Sequence, residues 1–326
     1  MKHFISIFSF IMAAGTGNVF SQNAAVSATP LTIGSGEHAF LMNRPYAVST
    51  MPLTIGSGTP DRPTANKSDV AMNIPVNQTV NDKTFAVIIA NEIYDQESQV
   101  EFANNDGAVF KEYCRKTLGI PEKNIHYRAN ATLNHIRGEI NWLSKVAQAY
   151  NGEAGFIFYY AGHGIPDESS KTAYLLPSDG YGSDVTTGYR LDDLYAKLGA
   201  LPAQSITVFM DACFSGAQRS GGMMASARGV TISATQGKPT GNMVVFSAAQ
   251  GDETAYPYRE KGHGLFTYFL LKKLQESKGN VTLGELSDYV TKQVGQQSVV
   301  VNRKSQTPTV IPSETLENKW MSLKLK

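Results

Sequence analysis

Two residues that could act together as a nucleophile and a base each follow an apolar run in this 326-residue chain. Cys213 lies in residues 205–216 (SITVFMDACFSG), and His163 lies in residues 155–164 (GFIFYYAGHG). A thiol is only partly ionised near neutral pH, and an adjacent imidazole that takes its proton makes it a strong nucleophile. The sequence therefore predicts covalent catalysis by a cysteine, with a histidine as general base and acid.

The runs that precede these two residues are typical of buried strands in a parallel sheet. Both reactive residues then lie just past the carboxyl ends of strands, where open α/β sheets build their sites. Gly164 has no Cβ, so the backbone there can approach a substrate closely. The amides of Gly164 and Cys213 are therefore candidate donors of an oxyanion hole. Taken singly, a buried cysteine is usually inert and a lone histidine usually belongs to the core, but two similar strand-turn contexts favour the chemical interpretation.

Strands alternate with amphipathic helices from Lys83 onward, which predicts an α/β fold with a mostly parallel sheet covered by helices on both faces. Besides the two runs above, the predicted strands are residues 85–90, 125–127, 173–176, 243–247 and 309–311. The predicted helices are residues 106–118, 132–150, 191–198, 264–275 and 283–294.

The two motifs resemble those of a known peptidase family. His163-Gly164, followed 50 residues later by Cys213 in residues 211–216 (DACFSG), is similar to the His-Gly and Cys motifs of caspase-like cysteine peptidases. The Asp-x-Cys-x-Ser-Gly form is closer to metacaspases and their bacterial relatives than to animal caspases. The resemblance spans residues 83–312 and includes residues 262–267 (GHGLFT). It implies a three-layer α/β/α sandwich and an endopeptidase with a Cys-His dyad that has no third carboxylate.

The charge beside the predicted nucleophile indicates a substrate class. Asp211 precedes Cys213 by two residues, so on an extended segment the two side chains share a face. A carboxylate there could bind an arginine or lysine side chain. Metacaspases are similar in using this Asp with a second one from an Asn-Asp pair, which matches Asn105-Asp106 here. We therefore expect protein or peptide substrates cut after Arg or Lys, although Asp106 alone is equally typical of a helix N-terminus.

A long polar connection, residues 217–242, follows the predicted nucleophile. Connections of this length inside a domain are unusual unless they have a function or move. Three basic residues in it, Arg219, Arg228 and Lys238, are candidate sites of self-processing. The alternative is that they are ordinary solubilising charges.

A calcium site is a weaker implication of the resemblance. Some metacaspases bind calcium through carboxylates between the His and Cys motifs, and Asp179, Asp192 and Asp193 resemble that group. Ser220 stands where a later carboxylate would be expected, and Asp192-Asp193 is equally explained as charge at a helix start. The predicted chemistry itself requires no cofactor.

Several other function classes find no support in the residues. The net charge is +1 and the basic residues are scattered, so nothing indicates nucleic-acid binding. Neither a Cys-x-x-Cys nor a His-Glu-x-x-His motif is present, and no glycine-rich phosphate loop occurs. His263 is expected to begin a helix, and it does not compete for the role of base because it follows Cys213 whereas the resemblance places the base before it. The second cysteine, Cys114, is expected to be a free core residue, with a disulfide to Cys213 as the alternative.

The N-terminal quarter of the chain differs from the rest. Residues 1–21 are typical of a signal peptide, with Lys2 before an apolar core too short to span a bilayer. Residues 22–82 are predicted to be a spacer or a pro-segment, and they contain a repeat, AVSATPLTIGSG at 25–36 and AVSTMPLTIGSG at 47–58. Residues 83–326 form the predicted catalytic domain. We therefore expect an exported protein, periplasmic or secreted, without a membrane anchor.

Two alternatives remain open at this level. One is a catalytically idle domain of the same fold that binds or signals, because a fold does not guarantee activity. The other is a clostripain-like or gingipain-like branch of the same fold, which shares the dyad and the basic preference.

Overall fold

A mostly parallel six-stranded sheet lies at the centre of the part of the chain that the computed structural model describes, residues 68–167, 169–215 and 237–326. The strands in chain order are β1 (Thr84–Ala90), β2 (Ile125–Ala129), β3 (Gly155–Ala161), β4 (Gly164–Pro166), β5 (Ala173–Leu175), β6 (Tyr189–Arg190), β7 (Ser205–Asp211), β8 (Met243–Ser247), β9 (Pro257–Tyr258), β10 (His263–Gly264) and β11 (Thr309–Pro312). The longer helices are α1 (Ala103–Glu112), α2 (Leu133–Tyr150), α3 (Leu191–Gly199), α4 (Leu265–Ser277) and α5 (Leu283–Asn302).

The central sheet has the strand order β11-β8-β7-β3-β1-β2. Its first five strands in sequence pair in parallel, and β11 pairs antiparallel with β8 at one edge. Every residue of β1 and β3 is buried, which explains why these strands are continuous apolar runs instead of alternating ones. The two runs that carry the predicted nucleophile and base are therefore β7 and β3, and they are neighbours.

Helices cover both faces of this sheet. On one face, Ile88, Tyr159 and Phe209 belong to a core with residues of α1, α4 and α5. On the other face, the alternate strand residues, such as Phe158 and Val208, belong to a second core with residues of α2 and α3. This arrangement of two cores on either side of one sheet confirms the predicted three-layer α/β/α sandwich.

Three predicted elements differ from the structure in their extent or place. The strand predicted at 173–176 lies outside the central sheet, as β5 of a small antiparallel sheet β4-β5-β6. The first helix begins three residues earlier than predicted and ends at Glu112, where a wider turn, Tyr113–Thr117, follows. The last helix continues past residue 294 to Asn302, although its final turn leaves Val299 and Val300 exposed. Val301 of this turn packs against the core, but three consecutive valines do not follow a helical apolar period, so the sequence did not indicate the turn.

Residues 68–82, here called the N-terminal strap, pack against the α/β domain. Val70 is fully buried, and its carbonyl accepts a 2.8 Å hydrogen bond from the Tyr113 hydroxyl. Asp69 accepts hydrogen bonds from Lys272 (3.0 Å) and Tyr268 on α4. Burial acts to raise the pKa of Asp69, but these bonds outweigh it and hold the pKa below its ordinary value. The strap was predicted as part of the spacer or pro-segment, and it lies in one compact unit with the domain.

We expect Val70→Ala to lower the free energy of unfolding by about 1.5–3 kcal/mol, because it removes two buried methyl groups and leaves a cavity. Urea unfolding of the full chain measures this. Val76→Ala is the matched control from the same strap, since Val76 is 65% exposed and its truncation should change stability by less than about 0.5 kcal/mol. Equal unfolding midpoints for the two variants would show that the strap contributes nothing to the domain.

Candidate active site

The turns that carry His163 and Cys213 lie side by side. Strands β3 and β7 pair in parallel with Ala161 opposite Asp211, and His163 and Cys213 each lie two residues beyond this pair. The carbonyl of Asp211 accepts a 3.3 Å hydrogen bond from the Gly162 amide, which continues the pairing past the strand ends. The imidazole and the thiol therefore lie at the same edge of the sheet.

Gly164 allows the two turns to approach this closely. A Cβ at this position would lie 2.5 Å from the carbonyl oxygen of Cys213 and 2.4 Å from the ring of Phe214. Contacts this short essentially do not occur, so any other residue would push the turns apart. Gly164 is thus required where the predicted oxyanion-hole amides approach each other.

A hydrogen bond from the ring of His163 sets its tautomer. Its Nε2 lies 2.8 Å from the carbonyl oxygen of Ser98, and the residue is only 4% exposed. A carbonyl oxygen can only accept, so Nε2 carries the hydrogen. In the neutral ring the lone pair is then on Nδ1, which is the nitrogen that can take a proton from a thiol. A backbone carbonyl thus orients the imidazole of His163, whereas in catalytic triads a third side chain orients the histidine.

The loop after β1 supports this histidine. The Tyr94 hydroxyl accepts a 2.8 Å hydrogen bond from the His163 amide, and the Tyr160 hydroxyl donates to the His163 carbonyl. Asn91, fully buried, anchors the loop because its side chain bonds both the amide and the carbonyl of Ala131. Sequence reasoning missed Ser98, Tyr94 and Asn91. The only signal was that a polar loop directly follows the buried first strand.

The two cysteines have contrasting surroundings. The sulfur of Cys213 is 2.8 Å from the backbone nitrogen of Ala255, which lies in the connection between β8 and β9. An amide that donates to the sulfur favours the thiolate over the thiol. Cys114 is fully buried in the apolar core, and burial raises the pKa of its thiol. The two cysteines form no disulfide with each other, so the prediction that Cys114 is a free core residue is confirmed and the alternative of a disulfide is wrong.

Asp211 lies on the same face of the sheet as Cys213. Cys213 belongs to the core of the α1, α4 and α5 face, whereas Met210 and Ala212 belong to the core of the opposite face. The Asp211 carboxylate accepts a 2.6 Å hydrogen bond from the Thr267 hydroxyl in the first turn of α4. Because that hydroxyl has one hydrogen, it in turn accepts the 2.7 Å bond from Tyr159. A chain of hydroxyl groups therefore ends on the carboxylate.

Asp106, in the first turn of α1, contacts the residues just before the same helix α4. It is fully buried, with Oδ1 2.7 Å from Nδ1 of His263 and Oδ2 accepting a 2.9 Å bond from the Gly264 amide. The start of α4 thus contacts both carboxylates that the sequence predicted for substrate binding. Sequence reasoning had set His263 aside as a rival base and had expected it to begin a helix, whereas it lies in β10 just before α4; it had assigned no role to Thr267.

Comparison with known families agrees with this geometry. The family model of the caspase domain, peptidase C14, matches residues 83–319. The chain belongs to this family of cysteine peptidases. Among solved structures, caspase-1 from Spodoptera frugiperda is similar at 15% sequence identity, with a TM-score of 0.49, over 73% of this chain and 90% of that chain. No curated protein matches the chain.

The carboxylates predicted for calcium serve other purposes in this caspase domain. Asp179 accepts a 3.0 Å bond from the Leu133 amide at the start of α2, and Asp192 pairs with Arg190 at 2.9 Å. Asp193 is exposed in the first turn of α3. Over residues 68–167, 169–215 and 237–326, no three His, Cys, Asp or Glu side chains form a group that could hold a metal ion. Calcium dependence therefore stays a prediction from the resemblance.

Two of the three processing candidates, Arg219 and Arg228, lie outside the described residues, and Lys238 is exposed. The predicted signal peptide and the repeats at 25–36 and 47–58 also lie outside them. Of the helices in the described part of the caspase domain, none has both the length and the apolar character needed to cross a membrane.

Proposed function

We propose that this caspase-domain protein is a cysteine endopeptidase in which Cys213 is the nucleophile and His163 is the general base and acid. The observation that supports this most strongly is the placement of both residues beyond the ends of neighbouring strands, with Nε2 of His163 bonded to Ser98. Nδ1 is then the atom that accepts the thiol proton, and the thiolate attacks the carbonyl carbon of the scissile bond. The amides of Gly164 and Cys213 stabilise the oxyanion.

The same imidazole then acts as an acid. His163 gives its proton to the leaving amine, the carbon–nitrogen bond breaks, and a thioester with Cys213 remains. A water molecule that loses its proton to Nδ1 hydrolyses this thioester, and the proton returns to the sulfur. The Ala255 amide, which contacts the sulfur, supports the thiolate at the start and the end of the cycle.

We propose that Asp106 and Asp211 bind an arginine or lysine side chain just before the scissile bond. Two carboxylates at the start of α4, one of them two residues from the nucleophile, would attract a basic group and repel an acidic one. The preference for Asp that is typical of animal caspases is therefore not expected.

Self-processing and export are further parts of the proposal. Cleavage after Arg219 or Arg228 fits the basic preference, whereas Lys238 precedes Pro239, whose ring would crowd the leaving nitrogen. The contacts of the strap argue against removal of residues up to 82, because Val70 and Asp69 would be lost with them. The apolar segment that begins at residue 4 supports export to the periplasm or the exterior.

Hydrolysis of matched fluorogenic peptides that end in Arg, Lys, Gln or Asp tests the proposal. We expect the Arg and Lys peptides to be cut, the Cys213→Ala variant to cut none, and the same variant to accumulate as an uncut chain. Parallel assays with calcium and with a chelator decide whether the ion is needed. Failure to cut any peptide, together with no reaction of Cys213 with a thiol-reactive peptide analogue ending in Arg, would favour an idle binding or signalling module.

A further inference from the structure

We propose that His263 is a specificity-determining positioning residue that holds the carboxylate of Asp106 where it can meet a basic substrate side chain. This inference rests on the proposed function, because it concerns the recognition of that side chain. His263 does not touch the reacting atoms, and it acts only through Asp106. It follows the nucleophile by 50 residues and has no part in the Cys-His dyad.

The geometry around Asp106 leaves its carboxylate little freedom. Consecutive residues bond its two oxygens, since Nδ1 of His263 lies 2.7 Å from Oδ1 and the Gly264 amide donates to Oδ2 at 2.9 Å. The Asn105 side chain fixes the turn before them through a 2.8 Å bond to the carbonyl of Gly262. The side chains of His263 and Asp106 are both buried. The carboxylate is therefore oriented by the segment between β9 and α4.

The histidine can orient this carboxylate without neutralising it. A carboxylate only accepts, so Nδ1 carries the hydrogen of the bond. Within the described residues, Nε2 of His263 is buried and has no hydrogen-bond partner, so a second proton on the ring would be left there without an acceptor. A neutral imidazole satisfies Asp106 and leaves its negative charge for the substrate. A lysine or arginine at position 263 would instead form an ion pair that cancels this charge.

The β9–β10 hairpin that carries His263 is anchored on both sides. Arg259 makes a bidentate pair with Glu101 at 2.8 and 2.9 Å, and Lys261 lies 3.5 Å from Asp69 of the strap. The ring of Tyr268, whose hydroxyl bonds the same Asp69, lies 6.4 Å from the His263 ring. These contacts place the imidazole on a fixed hairpin, as a positioning role requires.

Two substitutions separate orientation of Asp106 from general packing. His263→Asn keeps an N–H donor near the place of Nδ1, whereas His263→Ala removes it. With the Arg peptide, we expect His263→Ala to raise KM by about 10-fold to 100-fold and to change kcat by less than about 3-fold, while His263→Asn recovers most of the loss. With the matched Gln peptide, all three proteins should have similar KM values.

Alkylation of Cys213 by iodoacetamide is the folding control, because it requires the dyad but no pocket. Unchanged alkylation in both variants, together with the KM effect, supports the inference. Equal KM values for the Arg peptide in wild type and His263→Ala would overturn the inference. An equal rise of KM in both variants, or an alkylation rate that falls together with the KM effect, would also overturn it, because either result would indicate a structural role for His263. A wild-type protein that cuts no basic peptide would overturn the proposed function, and this inference with it.

Discussion

Replacing His163 with alanine is expected to lower kcat for the Arg peptide by about 10²-fold to 10⁴-fold, with little change in KM. The variant loses the group that takes the proton from Cys213 and later gives it to the leaving amine. It leaves the carboxylates at the start of α4 in place, so binding of the basic side chain should persist. Steady-state kinetics on the variant and the wild type measure both quantities.

The pH dependence of alkylation gives this prediction a second readout. In wild type, iodoacetamide should modify Cys213 rapidly near neutral pH. In the His163→Ala variant, the rate of modification near neutral pH should be lower, and it should increase only toward the pH at which an ordinary thiol ionises. Cys114 should stay unmodified in both native proteins, because it is fully buried and burial raises the pKa of its thiol. An unchanged rate in the variant would mean that His163 does not activate Cys213.

Asp211→Asn is expected to lower kcat/KM for the Arg peptide by about 10²-fold to 10³-fold, mainly through KM. The change removes one negative charge at a fully buried position and keeps an oxygen that can accept the hydrogen bond from Thr267. Because the side chains have nearly the same size, packing should change little. For the Gln peptide, kcat/KM should fall much less. The ratio of kcat/KM for the two peptides therefore measures the contribution of the charge.

Asp193→Asn is the matched control for this substitution. It makes the same chemical change at an exposed position of α3, so it should leave the Arg-to-Gln ratio unaltered. It also tests the calcium prediction, because an altered response to the chelator would place Asp193 among calcium ligands. Equal effects of Asp211→Asn on both peptides would contradict the assignment of Asp211 to the binding of a basic side chain.

Residues 255–264 link the parts of the candidate site. The amide of Ala255 contacts the sulfur of Cys213, His263 contacts Asp106, and Lys261 contacts Asp69 of the strap. A cut within the strap would remove Asp69, the partner of this hairpin, and a cut before residue 68 would not. If processing activates the enzyme, we therefore expect the N-terminal cut to fall before residue 68.

The sequence alone determined the layers of the fold and the two reactive residues. Buried parallel strands are continuous apolar runs, so the end of each run indicates where the strand ends. His163 and Cys213 each follow such an end, and in an α/β fold the carboxyl ends of parallel strands meet at one edge of the sheet. The glycine after the histidine was also meaningful in the sequence, since only a close backbone approach requires it there.

Only the tertiary structure decided which groups support these residues. Ser98 is 65 residues from His163, and His263 is 157 residues from Asp106, so neither pair produces a local pattern in the sequence. Sequence reasoning considered His263 only as a rival base and set it aside for its position after Cys213, although chain order does not limit which side chains meet at a helix start. The strap, too, was assigned to a spacer, because a few buried contacts such as that of Val70 leave no periodic signal. Local periodicity thus predicts elements, whereas the hydrogen bonds that orient a site come from contacts between distant segments of the chain.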